Sequence, residues 1–136
     1  MIVVYTAGPY RAGNSWAIEQ NIRDAELASL QVWRLGAVPI CPHTMTRHFQ
    51  GALPDATWLT GDLELVRRSD AVVMIGDWQH SQGACAEKAY AEARDVPVFE
   101  SMELLATWLQ WRSTKKVGDP LREQYGLPLM GTALAR

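Results

Sequence analysis

The chain has 136 residues, of which 48% are hydrophobic and 21% charged, enough apolar material for one packed domain and too much for a disordered chain. Its formal net charge is -2, and no run of like charge is longer than Arg67-Arg68 or Lys115-Lys116, which excludes the basic footprint of a duplex-binding protein. Cys41 and Cys85 form no metal-spaced pair or Cys-x-x-Cys motif, and no apolar stretch approaches membrane-spanning length. The first residues, Ile2-Val3-Val4-Tyr5, read as a strand and not as a signal peptide. The expectation is a soluble cytoplasmic protein that binds neither membrane nor nucleic acid polymer.

In chain order, apolar runs at residues 2–5, 37–40, 71–75 and 96–99 predict four buried strands. Between the first two, Ile18, Ile22, Ala25, Ser29 and Val32 recur at steps of four and three. That spacing predicts a helix, with Ser15 as its cap and Gly36 as its stop. Further helices are predicted over 58–68, 83–94 and 102–112. In the third of these four helices Ala84, Ala86, Ala89 and Ala91 are small enough to let it approach a sheet closely.

Strands alternating with helices imply βαβ units, hence an α/β fold with a parallel sheet of four to five strands covered on both faces. In such sheets ligands bind beyond the carboxyl ends of the strands. One domain is expected over 1–112. The remaining 113–136, punctuated by Gly118, Pro120, Gly126, Pro128 and Gly131, reads as an irregular tail, loose or packed on a neighbouring subunit.

Three loops then hold the candidate chemistry. After the first strand comes Ala7-Gly8-Pro9-Tyr10-Arg11-Ala12-Gly13-Asn14-Ser15. Its glycines and the following helix start suit an anion, and Arg11 can meet a phosphate; a plain strand-to-helix turn fits equally well. A nucleoside triphosphatase is disfavoured, because Asn14 stands where a P-loop needs lysine. After the second strand, Pro42-His43-Thr44-Met45-Thr46-Arg47-His48-Phe49 reads as a mobile flap with His43 or Phe49 touching a ligand, or as a polar surface loop with a buried Phe49. Two histidines at this spacing do not make a metal site.

The third loop is the most informative. Gly76-Asp77-Trp78-Gln79-His80-Ser81-Gln82-Gly83 runs into a helix that carries Glu87. Near the helix start, the dipole favours an ionised carboxylate, which is what attack at an anomeric carbon needs. The alternative is a surface glutamate that complements the dipole. Cys85 competes as a nucleophile but has no histidine placed to serve it, so a small buried thiol is the better reading. Asp62 lies at the border of its helix's apolar face, either half-buried and used or solvated beside Glu64. Tyr5 ends the first strand, either as a hydrogen-bond donor to Glu87 or as a core aromatic.

Taken together, Tyr5-Thr6-Ala7-Gly8-Pro9-Tyr10-Arg11, then Asp62-Leu63 with Ser69-Asp70-Ala71-Val72-Val73, then Ser81-x-Gly83-x-x-x-Glu87 resemble the nucleoside 2-deoxyribosyltransferase superfamily. The nearest branches are its small phage and bacterial members and the nucleotide N-glycosidases. The resemblance covers about residues 1–112. It implies a flavodoxin-like three-layer fold and double displacement at the sugar C1′. It makes Glu87 the nucleophile, Tyr5 its hydrogen-bond partner, and Asp62 the residue that handles the leaving base. It also implies an oligomer with shared sites, and no cofactor or metal.

Two positions depart from the transferases. Ser81 replaces the aspartate that binds the sugar 5′-hydroxyl, as it does in the monophosphate N-glycosidases, and Glu87-Lys88-Ala89 replaces Glu-Leu-Gly. The expected substrate is therefore a (deoxy)nucleoside 5′-monophosphate, held by Gly8, Pro9, Tyr10, Arg11, His43, Ser81 and Gly83 and cleaved hydrolytically. The alternatives are base exchange between nucleosides and a non-catalytic nucleotide-binding module. Six tryptophans exceed what one small core needs, so at least a homodimer is expected, through the last helix or the tail.

Overall fold

The computed structural model describes residues 1–115 and 124. Strands β1 (Val3–Ala7), β2 (Val38–Ile40), β3 (Ala71–Met74) and β4 (Val98–Phe99) form one parallel sheet in the order β2-β1-β3-β4. This is a flavodoxin-like order, and its switch point lies between β1 and β3. Only these central strands are deeply buried; β2 and β4 are half-buried. The expected parallel sheet of four strands with helices on both faces is the one observed, and its edge strands are the less buried because each has a strand neighbour on one side only.

Alternation along the central strands sorts the core into two layers. Val4, Ala71 and Val73 pack with Val32 of α1 (Ser15–Arg34) and with Leu105 and Leu109 of α5 (Met102–Lys115). Tyr5, Ala7, Val72 and Met74 face the other way, toward Val66 of α3 (Asp55–Arg68) and Ala84 and Ala91 of α4 (Gln82–Ala93). Tyr5 is thereby turned to the layer that holds Asp62 and Glu87.

Several boundaries differ from the sequence expectation. Asn14, not Ser15, caps α1: its Oδ1 accepts from the Ala17 N–H at 2.9 Å, which leaves Ser15 as the first helical residue. Gly36, at φ 81°, ends the helix as expected. Helix α3 begins at Asp55, three residues early, because Pro54 precedes an acidic first turn. On α4, Ala84, Glu87 and Ala91 form the buried face while Ala86 and Ala89 are exposed. The stripe therefore runs through the glutamate and not through all four alanines. Helix α5 continues through Lys115, since 113–115 contain no breaker; the rest of the expected tail lies outside the described residues apart from Gln124. No helix among the described residues is long and apolar enough to cross a membrane.

Candidate active site

The carboxyl ends of β1 and β3 open into a cavity of about 1180 Å³. Its first wall is the loop after β1. Gly8 is required there: a Cβ would come within 2.5 Å of Ile75 Cγ1 and 3.0 Å of the Ile75 carbonyl oxygen. Glycine thus lets the first loop lie against the end of β3. Gly76, at φ 59°, turns the chain away from β3 and packs on Pro9.

The second wall is α3. Asp55, Trp58, Leu59 and Asp62 all line the cavity, at the i, i+3, i+4, i+7 spacing of one helix face. The third is α4, which enters through Ser81, Gln82 and Gly83 and carries Glu87. The Ser81 hydroxyl caps this helix, accepting from the Ala84 N–H at 3.3 Å. Gly83 has open space where a side chain would be, so its lack of a side chain enlarges the cavity and is not demanded by packing.

Every residue expected from the sequence to bind substrate lines this one space: Gly8, Pro9, Tyr10, Arg11, His43, Ser81 and Gly83, together with Asp62 and Glu87. Tyr5 lies just behind, fully buried. The sequence reading overlooked Asn21, Asp24, Asp55, Trp58, Asp77 and His80. For Asp55 and Trp58 the signal was present, because they precede Asp62 by seven and four residues.

Electrostatics single out two carboxyls. Glu87 is 8% exposed, and its pKa is pushed up to about 8, first by burial and then by the charge of Asp62. Asp62 is raised to about 6 by burial. The helix dipole does not hold Glu87 ionised, contrary to the sequence expectation. Glu87 stands in the second turn of α4, beyond the reach of that dipole, and loss of water outweighs it. The Tyr5 phenol points hydrogen-bonding character at Glu87 and pulls its pKa back in part. The contact falls short of full hydrogen-bond geometry, so the buried Tyr5 oxygen keeps unused capacity. The same burial raises the Tyr5 pKa strongly, keeping the phenol a donor.

Three further expectations change. Arg11 crosses the mouth to pair with Asp55 and is not a free cation. Phe49 is half-exposed, its ring 6.1 Å from that of Trp58, because its loop folds into a short helix, α2 (Pro42–Met45), ahead of it. That loop is also anchored: Arg47 binds Glu26 at 3.2 Å and pairs with Glu19, both on α1. Cys85 is half-buried, with its thiol directed at the Trp78 carbonyl at 3.5 Å. No cluster of three or more His, Cys, Asp or Glu suited to a metal occurs among the described residues.

The cavity is acidic. Asp24, Asp55, Asp62, Asp77 and Glu87 line it, and Arg11 is the one lysine or arginine among its lining residues. His80 faces Asp77, with Nδ1 2.8 Å from Oδ1.

A flavodoxin-like α/β domain with a buried carboxyl, Glu87, and a half-buried one, Asp62, on the cavity at its switch point is the class that these features define. The chain belongs to the family described as a domain of unknown function, DUF7768, which residues 2–101 match. No curated protein matches it. Among solved structures it is similar to a 2-deoxyribosyltransferase from the psychrotolerant bacterium Bacillus psychrosaccharolyticus, at 15% identity and a TM-score of 0.56. That likeness covers 93% of this chain and 96% of the other, and it establishes the shared fold.

Proposed function

We propose that the protein is an enzyme that cleaves the N-glycosidic bond of a nucleoside, preferably a 2′-deoxynucleoside, and passes the sugar to a second base. The observation that carries this reading is the set of Glu87 and Asp62: two desolvated carboxyls, the charge of Asp62 adding to the rise at Glu87, on one cavity large enough for a nucleoside. Burial raises both, so the pair holds one proton near neutral pH, mainly on Glu87. The reactive form is the minor one, in which that proton has passed to Asp62 and Glu87 is ionised.

In the first half-reaction a Glu87 oxygen attacks C1′ and forms an ester to the sugar. The C1′–N bond breaks, and the departing base takes the Asp62 proton. In the second, a nitrogen of the incoming base attacks C1′, its proton passes to Asp62, and Glu87 leaves as carboxylate. Two inversions return the original anomeric configuration. Tyr5 donates toward the Glu87 oxygens and limits the cost of ionising them. Tyr10, Trp58 and Leu59 supply the apolar surface against which a planar base packs.

Charge favours a nucleoside over its 5′-monophosphate. A phosphate would enter beside Asp24, Asp62 and Asp77 and would compete with Asp55 for Arg11, the one lysine or arginine on the lining. Hydrolysis of a monophosphate is the second reading. It is favoured by one feature, the α4 N-terminus with Ser81, Gln82 and Gly83 in the cavity wall. A non-catalytic binding module is the third.

The test is to incubate purified protein with a deoxynucleoside and a second free base and to separate the products. A new nucleoside supports transfer. Free base with no new nucleoside, obtained only from the monophosphate, supports the second reading. Binding without any bond cleavage supports the third. A covalent adduct on Glu87 from a 2′-fluoro nucleoside would identify the nucleophile directly.

A further inference from the structure

We propose that His43 is a positioning residue which, jointly with Asn21, clamps the consecutive Pro9 and Tyr10 carbonyls and so sets the cavity wall made by Pro9, Tyr10 and Arg11. The segment at residues 8–13 has neither helix nor strand structure, so its shape must be imposed from outside. Two side chains from different elements supply the constraint. His43 Nε2, on α2, lies 2.8 Å from the Pro9 carbonyl oxygen. Asn21 Nδ2, on α1, donates to the Tyr10 carbonyl oxygen at 3.1 Å.

The geometry fixes the state of the imidazole. A carbonyl oxygen only accepts, so Nε2 carries the hydrogen. Nδ1 is buried without a partner, which a bare nitrogen tolerates better than an N–H does. The ring is 5% exposed, and burial lowers its pKa, consistent with a neutral Nε2–H tautomer. The ring also meets Tyr10 edge-on, with centroids 5.6 Å apart and planes at 69°. It therefore contacts both the backbone and a side chain of the loop it holds.

The two donors share a support. Arg47, four residues after His43, binds Glu26 and Glu19 on α1, the helix that carries Asn21. His43 lines the cavity that the sequence reading placed it in, and the clamp gives it a task there besides any contact with a ligand.

The kinetic arm of the test rests on the nucleoside reading above; the spectroscopic arm does not. In the intact protein at pH 7, long-range ¹⁵N–¹H spectra should show His43 as the Nε2–H tautomer. An Nδ1–H tautomer or an imidazolium would overturn the clamp. Asn21→Ala and His43→Ala should shift the Tyr10 and Arg11 amide resonances and raise KM for a deoxynucleoside about fivefold or more, the scale of one net hydrogen bond. kcat should change less.

His43→Gln keeps a donor and should recover most of the KM. Unmoved Tyr10 and Arg11 resonances in a folded Asn21→Ala protein would refute the proposal even if His43→Ala fails to fold. Wild-type protein that turns over no nucleoside would remove the glycosyl-transfer reading, while the tautomer and resonance shifts would still decide the clamp.

Discussion

Glu87→Gln should make the protein more stable while abolishing turnover, and the gain should grow with pH. Glutamine keeps the shape of the protonated acid and cannot ionise. In the wild type, the Glu87 pKa is raised from 4.5 to about 8, so between those values the folded state binds more protons than the unfolded chain. Stability must then fall as pH rises through that window. At about 1.36 kcal/mol per pKa unit, the full loss by pH 9 is at most about 5 kcal/mol, and part of it reflects the neighbouring Asp62 charge. Glu87→Gln escapes that loss.

The variant should match the wild type near pH 5 and exceed it by at least about 2 kcal/mol at pH 9. For a domain of this size that is a rise in Tm of roughly 8 °C or more. Thermal melts by circular dichroism from pH 5 to pH 9, on both proteins, measure the difference. Parallel curves would refute the reasoning, since they would mean that Glu87 ionises in the fold as easily as in water. Turnover retained by the folded variant would separately remove Glu87 as the nucleophile.

Turnover should follow a bell in pH with limbs near 6, where Asp62 titrates, and near 8, where Glu87 does, because the reactive form is a singly protonated pair. Asp62→Asn should abolish the alkaline limb and leave a single rising limb above 6, set by the burial of Glu87, as kcat/KM across pH would show. Tyr5→Phe removes the donor that lowers the Glu87 pKa, so the limb near 8 should move to higher pH; an unmoved limb would separate the phenol from the carboxylate. A deoxynucleoside should bind at least about tenfold more tightly than its 5′-monophosphate, the scale of one charge-assisted hydrogen bond; calorimetry giving the reverse order would restore the phosphate reading. Gly8→Ala should cost about 1–3 kcal/mol in denaturant melts, from the clash with Ile75. Light scattering at micromolar concentration should show at least a dimer, formed through exposed aromatics such as Trp111, Trp16 and Trp33; a monomer would contradict this.

The sequence by itself determined the architecture. Four short apolar runs separated by helix-length periodic segments admit few arrangements, because a buried parallel sheet needs continuous apolar strands and crossover helices. It also marked the loops that meet at the site, since those loops follow the strands' carboxyl ends. Gly36 as the stop of α1 was legible because a positive φ there selects glycine.

The depth and charge of the site were decided only in three dimensions. Whether Glu87 is ionised depends on how much water the sheet and α3 exclude, and no local pattern encodes that. Position in the helix suggested an anion, whereas burial beside Asp62 favours the acid. Arg11 offered a free cation in sequence, but Asp55, 44 residues away in the chain, meets it across the cavity mouth. That His43 Nε2 meets the Pro9 carbonyl, 34 residues away in the chain, was likewise decided by the fold. Desolvation and long-range pairing are sums over groups distant in sequence, so they exist only once the chain has folded.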